Sequence, residues 1–149
     1  LEDKVEEWFD FKGKSPYMLF VSNLNKSKII PMEDYEKKLF GIDKLNIKKS
    51  QIPAVTHVDY SARIQTVSKE FNERFYQLIN TFYKKTKCPI LVNTSFNVRG
   101  EPIVCTPEDA FNCFMGTNLD ILVIENFILF KHEQLVKPNL KFSDNFDLD

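Results

Sequence analysis

No apolar run in this sequence approaches the roughly twenty residues that cross a bilayer as a helix, so no membrane-spanning helix is expected. Its first residues, Leu1-Glu-Asp-Lys-Val-Glu-Glu, lack the basic-then-apolar order of a signal peptide. Cysteine is scarce and unpaired in pattern: Cys88, Cys105 and Cys113 are odd in number and form no Cys-x-x-Cys. That argues against a disulfide framework or a zinc site, and reduced thiols in a cytoplasmic protein are the simplest account. Charge of one sign is also missing. A net charge of −1 gives no electrostatic case for wholesale nucleic-acid binding, although a local basic patch stays compatible with it. Tryptophan occurs once against fourteen phenylalanines, which says only that the core is rich in aromatic rings. There are no internal repeats. What remains is an ordinary globular balance, 43 % apolar and 28 % charged, over 149 residues. That is one domain's worth of chain, enough for a single real core.

Periodicity places the elements. Val5, Trp8 and Phe9 at helical spacing predict a short helix over residues 2–9. Gly13 and Pro16 punctuate a turn before Tyr17-Met-Leu-Phe-Val, which reads as a core strand. The Lys-, Asn- and Ser-rich stretch that follows reads as a surface excursion with Lys44, Lys48 and Lys49 solvated. It contains a short helix over 32–40 that Gly41 is placed to end. Residues 55–58 and 62–67 read as extended segments around Asp59-Tyr60-Ser61. Phe71, Phe75, Leu78, Ile79, Phe82 and Tyr83 form the core-facing stripe of the clearest helix, with Lys84, Lys85 and Lys87 complementing its dipole. Ile90 to Val92 reads as a buried strand and Ile103-Val104 as a brief extended piece. Thr106-Pro107-Glu108-Asp109 is a helix start, with Gly116 as its stop. Two apolar runs, 121–124 and 127–130, flank Glu125-Asn126 as a hairpin. The tail, residues 132–149, is polar and expected to be loosely ordered. Together these elements predict one α/β domain over 1–149, a mixed twisted sheet with flanking helices.

Chemistry concentrates where the Ile90–Val92 run stops. Asn93-Thr-Ser-Phe-Asn-Val-Arg-Gly supplies two amides, two hydroxyls, a guanidinium and a glycine. Ligands in open α/β sheets gather at the carboxyl ends of strands. Neutral donors beside an arginine suit a phosphate or a carboxylate. An ordinary polar turn remains the alternative, and for Asn97 so does a positive-φ turn position. Arg63 sits in an otherwise apolar extended segment and must reach a partner or solvent; an anionic ligand satisfies it, as would Asp59 or another carboxylate. His57 and Asp59, at i and i+2, would share a strand face. Two ligands are too few for a metal site, which favours a pocket wall or a structural hydrogen bond. Cys105 precedes a helix start, where a thiol can be activated, but no histidine lies nearby in sequence and a buried thiol is the simpler reading.

Two blocks also carry a resemblance. Asn93-Thr-Ser-Phe-Asn-Val-Arg-Gly-Glu-Pro-Ile-Val-Cys-Thr-Pro-Glu-Asp-Ala resembles a signature of the C-terminal region of the O-carbamoyltransferases, the family of nodulation-factor and antibiotic carbamoyltransferases. Ala54-Val-Thr-His-Val-Asp-Tyr-Ser-Ala-Arg-Ile-Gln-Thr-Val is similar to that family's other C-terminal signature. The resemblance covers roughly Ser15 to Lys131. The family's Lys/Arg-rich segment and Pro-Phe-Ala-Pro sequence, which precede the point matching Leu1, are not in this sequence. Residues 1–149 alone are therefore expected to fold but to turn over little.

The loop Ser95-Phe96-Asn97-Val98-Arg99-Gly100-Glu101-Pro102 further resembles the Ser-Ala-Asn-x-Ser-Gly-x-Pro segment of the YrdC-type threonylcarbamoyl-adenylate synthases, which implies a YrdC-like fold. The resemblance implies an ATP-dependent carbamoyltransferase that forms carbamoyl-adenylate from carbamoyl phosphate and ATP. Arg63 and Ser95 would be catalytic, and Asn93, Ser95, Asn97, Arg99 and Arg63 would bind substrate and nucleotide. Arg99 stands where the synthases carry a serine, so its role departs from that pattern. Mg2+ would bridge nucleotide phosphates, with no metal site in this chain. A metal such as iron would belong to the family's N-terminal domain, which would also take the acceptor hydroxyl. A non-catalytic nucleotide- or RNA-binding module of the same fold, and a lid completing the N-terminal domain's site, are the competing readings.

Overall fold

The computed structural model describes residues 1–136, 142 and 146, so most of the predicted tail lies outside the described residues. The chain forms two compact units, Leu1–Val92 and Asn93–Asp149, each described by itself. The α/β character expected from the sequence is present as helices packed with small antiparallel sheets. Among the described residues no helix is long and apolar enough to cross a membrane.

In the first unit, a 3-10 turn (Glu2–Lys4) runs into helix α1 (Val5–Trp8), which buries Val5 and Trp8 as the spacing required. Strand β1 (Phe20–Asn23) pairs antiparallel with β2 (Ser61–Ile64), with Val21 opposite Arg63 and Asn23 opposite Ser61. The strand expected at Tyr17 thus starts three residues later, and Phe20 and Val21 are exposed rather than buried. Residues 15–18 are held by bonds outside a regular ladder. The Ser15 and Thr66 backbones and the Thr66 hydroxyl exchange hydrogen bonds at 2.7 and 2.9 Å, and Gln65 Nε2 donates to the Pro16 carbonyl at 2.8 Å. The core gathers Val5, Trp8, Phe9, Leu24, Ile52, Ala62 and Ile64, with Cys88 and Ile90 packed against it.

Several local expectations are corrected here. Residues 55–58 form no strand: a 3-10 turn (Pro53–Val55) leads through an extended Thr56 into a reversal in which Tyr60 takes φ +64°. Helix α2 is only Asp34–Lys37, and Gly41, at φ +60°, opens α3 (Gly41–Leu45) instead of ending a helix. Lys49 is 2 % exposed, not solvated. Its ammonium donates to the carbonyls of Lys44 and Leu45 at the end of α3, where orphan acceptors attract cations, and its stem is thereby drawn inward. Helix α4 (Glu73–Thr86) is capped by Asn72, whose side chain accepts from Phe75 N, and ends at Lys87 in the left-handed conformation. Its stripe is less buried than its periodicity implied: Ile79 is buried, whereas Phe71, Leu78 and Phe82 are exposed. Ile90 to Val92 joins no ladder among the described residues; Ile90 meets the core by its side chain and Val92 is exposed.

In the second unit, α5 (Pro107–Met115) starts at a capping box. The Thr106 side chain accepts from Asp109 N, and Asp109 accepts from Thr106 N. It buries Ala110, Cys113, Phe114 and Met115, and Gly116 caps its end, as expected. The hairpin β3 (Ile121–Ile124) and β4 (Phe127–Phe130) occupies the expected residues, with Glu125 at φ +54° in its turn. Leu122 joins Ala110, Phe114 and Met115 in this unit's core, while Val123 and Ile128, paired across the hairpin, are exposed. Lys131 donates to the carbonyls of Phe114 and Thr117, clasping the C-terminus of α5.

Candidate functional site

The polar loop opens the second unit. Val98-Arg99-Gly100-Glu101 is a tight turn, closed by Glu101 N donating to Val98 O at 3.1 Å. Gly100, third in the turn, has φ +82°, which a side chain disfavours and a type II turn requires at that place. Asn97 is not itself at positive φ. Its side-chain amide instead ties the turn from outside, donating to Val98 O at 3.1 Å and Glu101 O at 2.8 Å. The Glu101 carboxylate accepts from Val98 N at 2.8 Å, and Val104 N donates to Phe96 O at 3.0 Å. Phe96 and Val104 pack on the core formed by α5 and the hairpin.

The expected ligand residues of this loop therefore divide. Ser95 and Arg99 are exposed, and among the described residues no hydrogen bond or ion pair occupies their side chains. Asn93 is exposed and already has a partner. Asn97 has both amide hydrogens engaged within the loop, leaving only its oxygen as an acceptor.

Cys113 lies beneath this loop in the sense of burial, at 1 % exposure. Loss of solvent, and then the Glu101 carboxylate, push its thiol up to about 11. Cys105, the candidate nucleophile, is exposed rather than buried, and its sulfur lies 3.3 Å from Ile103 O. The Asp109 carboxyl is held below its ordinary value by hydrogen bonds from Thr106, first the side chain and then the backbone.

The first unit holds the second signature. Arg63 is exposed on β2 and donates to the Met18 carbonyl at 2.6 Å, which leaves the rest of its five-donor fork open. Its partner is a carbonyl, not Asp59. Asp59 instead turns back on its own segment: Oδ1 accepts from Ser61 N at 3.0 Å and from Ser61 Oγ at 2.6 Å. Those bonds, with the His57 imidazole last among the causes, hold the Asp59 carboxyl below its ordinary value. His57 Nδ1 lies 2.9 Å from Ser61 Oγ. His57 and Asp59 thus meet through a hydroxyl between them, not by sharing a strand face. Ser61 was not singled out by the sequence; the Asp-x-Ser spacing of an Asx turn is the signal that pointed to it. Among the described residues no three His, Cys, Asp or Glu side chains converge to hold an ion.

Comparison with known proteins places both signatures in one family. A family model described as carbamoyltransferase C-terminus matches residues 1–131. The uncharacterized protein sll1178 of Synechocystis sp. is 53 % identical over the whole chain, which covers 24 % of that relative. Nodulation protein NolO of Bradyrhizobium diazoefficiens is 48 % identical over 88 % of the chain and 21 % of its own length. Nodulation protein U of Sinorhizobium fredii is 33 % identical over 78 % of the chain and 17 % of its own length. The chain spans about a quarter or less of the curated relatives it matches. A match of this extent over both signature blocks means that the chain belongs to the carbamoyltransferase C-terminus family.

Proposed function

We propose that this chain is the adenylate-forming part of an ATP-dependent O-carbamoyltransferase. The observation that carries the reading is family membership across residues 1–131, together with a fixed loop that leaves Ser95 and Arg99 uncommitted. In the proposed reaction, water releases inorganic phosphate from carbamoyl phosphate. An oxygen of the resulting carbamate then attacks the α-phosphorus of ATP, and the bond to pyrophosphate breaks. The carbamoyl carbon is afterwards attacked by an acceptor hydroxyl held by another part of the polypeptide, which loses its proton as the bond to AMP breaks and AMP leaves.

The difficulty of such a reaction is gathering several negative charges in one place. Preorganised positive charge and donors meet it, and no protein nucleophile is needed. Arg63 and Arg99 would offset phosphate charge, Ser95 would donate to a phosphate or carbamate oxygen, and Asn93 would help orient the ligand. Asn97 would act mainly by holding the loop. With no three-ligand cluster among the described residues, Mg2+ would ride on the nucleotide phosphates, whose oxygens supply the coordination such an ion prefers. A metal such as iron would serve the acceptor-binding part of the longer protein.

The test is pyrophosphate release from ATP, dependent on carbamoyl phosphate, measured on the whole polypeptide that carries this chain. Arg63→Ala and Ser95→Ala should each lower it by about 10²-fold, the usual effect of removing one preorganised donor, with both variants still folded. Wild-type turnover in both variants would refute the reading.

A further inference from the structure

His57 belongs to a hydrogen-bond chain whose direction can be worked out from its chemistry. An ionised carboxylate only accepts, and Asp59 Oδ1 lies 2.6 Å from Ser61 Oγ. The single hydroxyl proton of Ser61 is therefore committed to Asp59. The same oxygen lies 2.9 Å from His57 Nδ1 and can only accept there, so Nδ1 carries the proton. In the neutral ring this leaves Nε2 bare, as a hydrogen-bond acceptor, and among the described residues it has no partner. Free imidazole is under no such constraint. The chain is fixed at its root, because Ser61 is 3 % exposed and also donates its backbone N–H to Asp59 at 3.0 Å. The His57 backbone donates to Ser61 O at 2.8 Å, closing the turn on the strand.

Ser61 and Arg63 are two apart on β2, so their side chains leave one face of the strand. That face therefore presents an open guanidinium and, against Ser61, a ring nitrogen able only to accept. A dianionic acyl phosphate and a carboxylate have no proton to give and gain nothing from such a nitrogen. A carbamoyl group differs: its oxygen suits a donor and its –NH2 requires an acceptor.

We propose that His57 binds the N–H of a carbamoyl group whose anionic end meets Arg63, with Ser61 and Asp59 as positioning residues that fix the ring's tautomer; this rests on the carbamoyltransferase reading above. His57 then selects an amide over the methyl group of an otherwise similar acyl phosphate.

Two measurements test it. Carbamoyl phosphate and acetyl phosphate differ at –NH2 against –CH3, and their binding to the whole polypeptide is compared by calorimetry. Wild type should prefer carbamoyl phosphate by about 3- to 10-fold, the worth of one hydrogen bond. His57→Ala should erase that preference while leaving acetyl phosphate affinity unchanged, and His57→Gln, which carries an accepting oxygen at similar reach, should keep part of it. Arg63→Ala should weaken both ligands alike. A preference that survives in His57→Ala overturns the role of His57 but leaves the carbamoyltransferase reading standing. Failure of both acyl phosphates to bind the wild type overturns both. Independently, nitrogen-15 NMR of neutral His57 should find the proton on Nδ1 and Ser61→Ala should move it towards Nε2, with His132, the other histidine, as internal reference. A proton on Nε2 in wild type overturns the tautomer and the proposal with it.

Discussion

At the scale of single residues, the loop divides into side chains left open, Ser95 and Arg99, and side chains that hold the turn, Asn97 and Glu101. Asn97→Ala removes two hydrogen bonds that hold the turn, and should cost about 1–2 kcal/mol in urea unfolding while its effect on ligand affinity follows from a loosened loop. Gly100→Ala forces a side chain to φ +82° and should cost about 1 kcal/mol by the same measurement. Ser95→Ala should cost almost nothing in stability. The sequence offered Ser95, Asn97 and Arg99 all as ligand residues, with a turn position as the alternative for Asn97, because composition cannot tell which polar groups a turn consumes. The distinction depends on the Glu101 carbonyl standing 2.8 Å from the Asn97 amide, four residues away in the chain. Thiol reactivity is graded in the same way. Cys105 should react first with iodoacetamide, half-buried Cys88 more slowly, and Cys113 last. A thiol ordinarily near 9 but raised to about 11 in the fold stabilises the protein below pH 9 and loses that contribution as pH climbs towards 11. Cys113 labelling should accordingly accelerate steeply at high pH, as mass spectrometry after timed quenching would show.

Among the elements, α5 and the hairpin were the most legible, because each is announced locally. Thr106-Pro107-Glu108-Asp109 is a cap written out in order, and the hairpin's two apolar runs flank a two-residue turn. Helix α4 was legible in position but not in burial, since periodicity reports a face and not what covers it. Ile90–Val92 misled for a related reason: an apolar run satisfies strand and buried connector equally, and only Ile90 reaches the core. The α5 cap also makes a pH prediction. Asp109 has its carboxyl lowered from an ordinary 3.8, so the stability it contributes is present above that value and is lost as pH falls through the folded one. Asp109→Asn should therefore melt earlier than wild type at neutral pH, and the two melting curves should converge at the acid end. At the other end of α5, Lys131→Met removes an ammonium from the Phe114 and Thr117 carbonyls and should cost about 1.5 kcal/mol in the same unfolding assay.

For the whole molecule, two cores within 149 residues leave much apolar surface in the open. Tyr17, Leu19, Phe20 and Val21 in the first unit and Val123, Phe127 and Ile128 in the second are exposed in contiguous runs or pairs. Contiguous apolar surface of this kind is where apolar probes and partners adsorb. The chain should bind 1-anilinonaphthalene-8-sulfonate in its folded state, and Val123→Lys with Ile128→Glu, an opposite-charge pair across the hairpin, should reduce the fluorescence with little change in melting temperature. Near-neutral charge speaks to the competing nucleic-acid reading, whose signature would be binding that collapses with salt; none of that dependence is expected here.

The Asn97 tether and the Glu101 clasp have a consequence for how any visitor is received. A loop already in shape surrenders little freedom when occupied, so the entropy lost on binding falls chiefly on the guest. Cutting the tether should therefore appear in calorimetry as a less favourable entropy of association, even where the surviving contacts release the same heat.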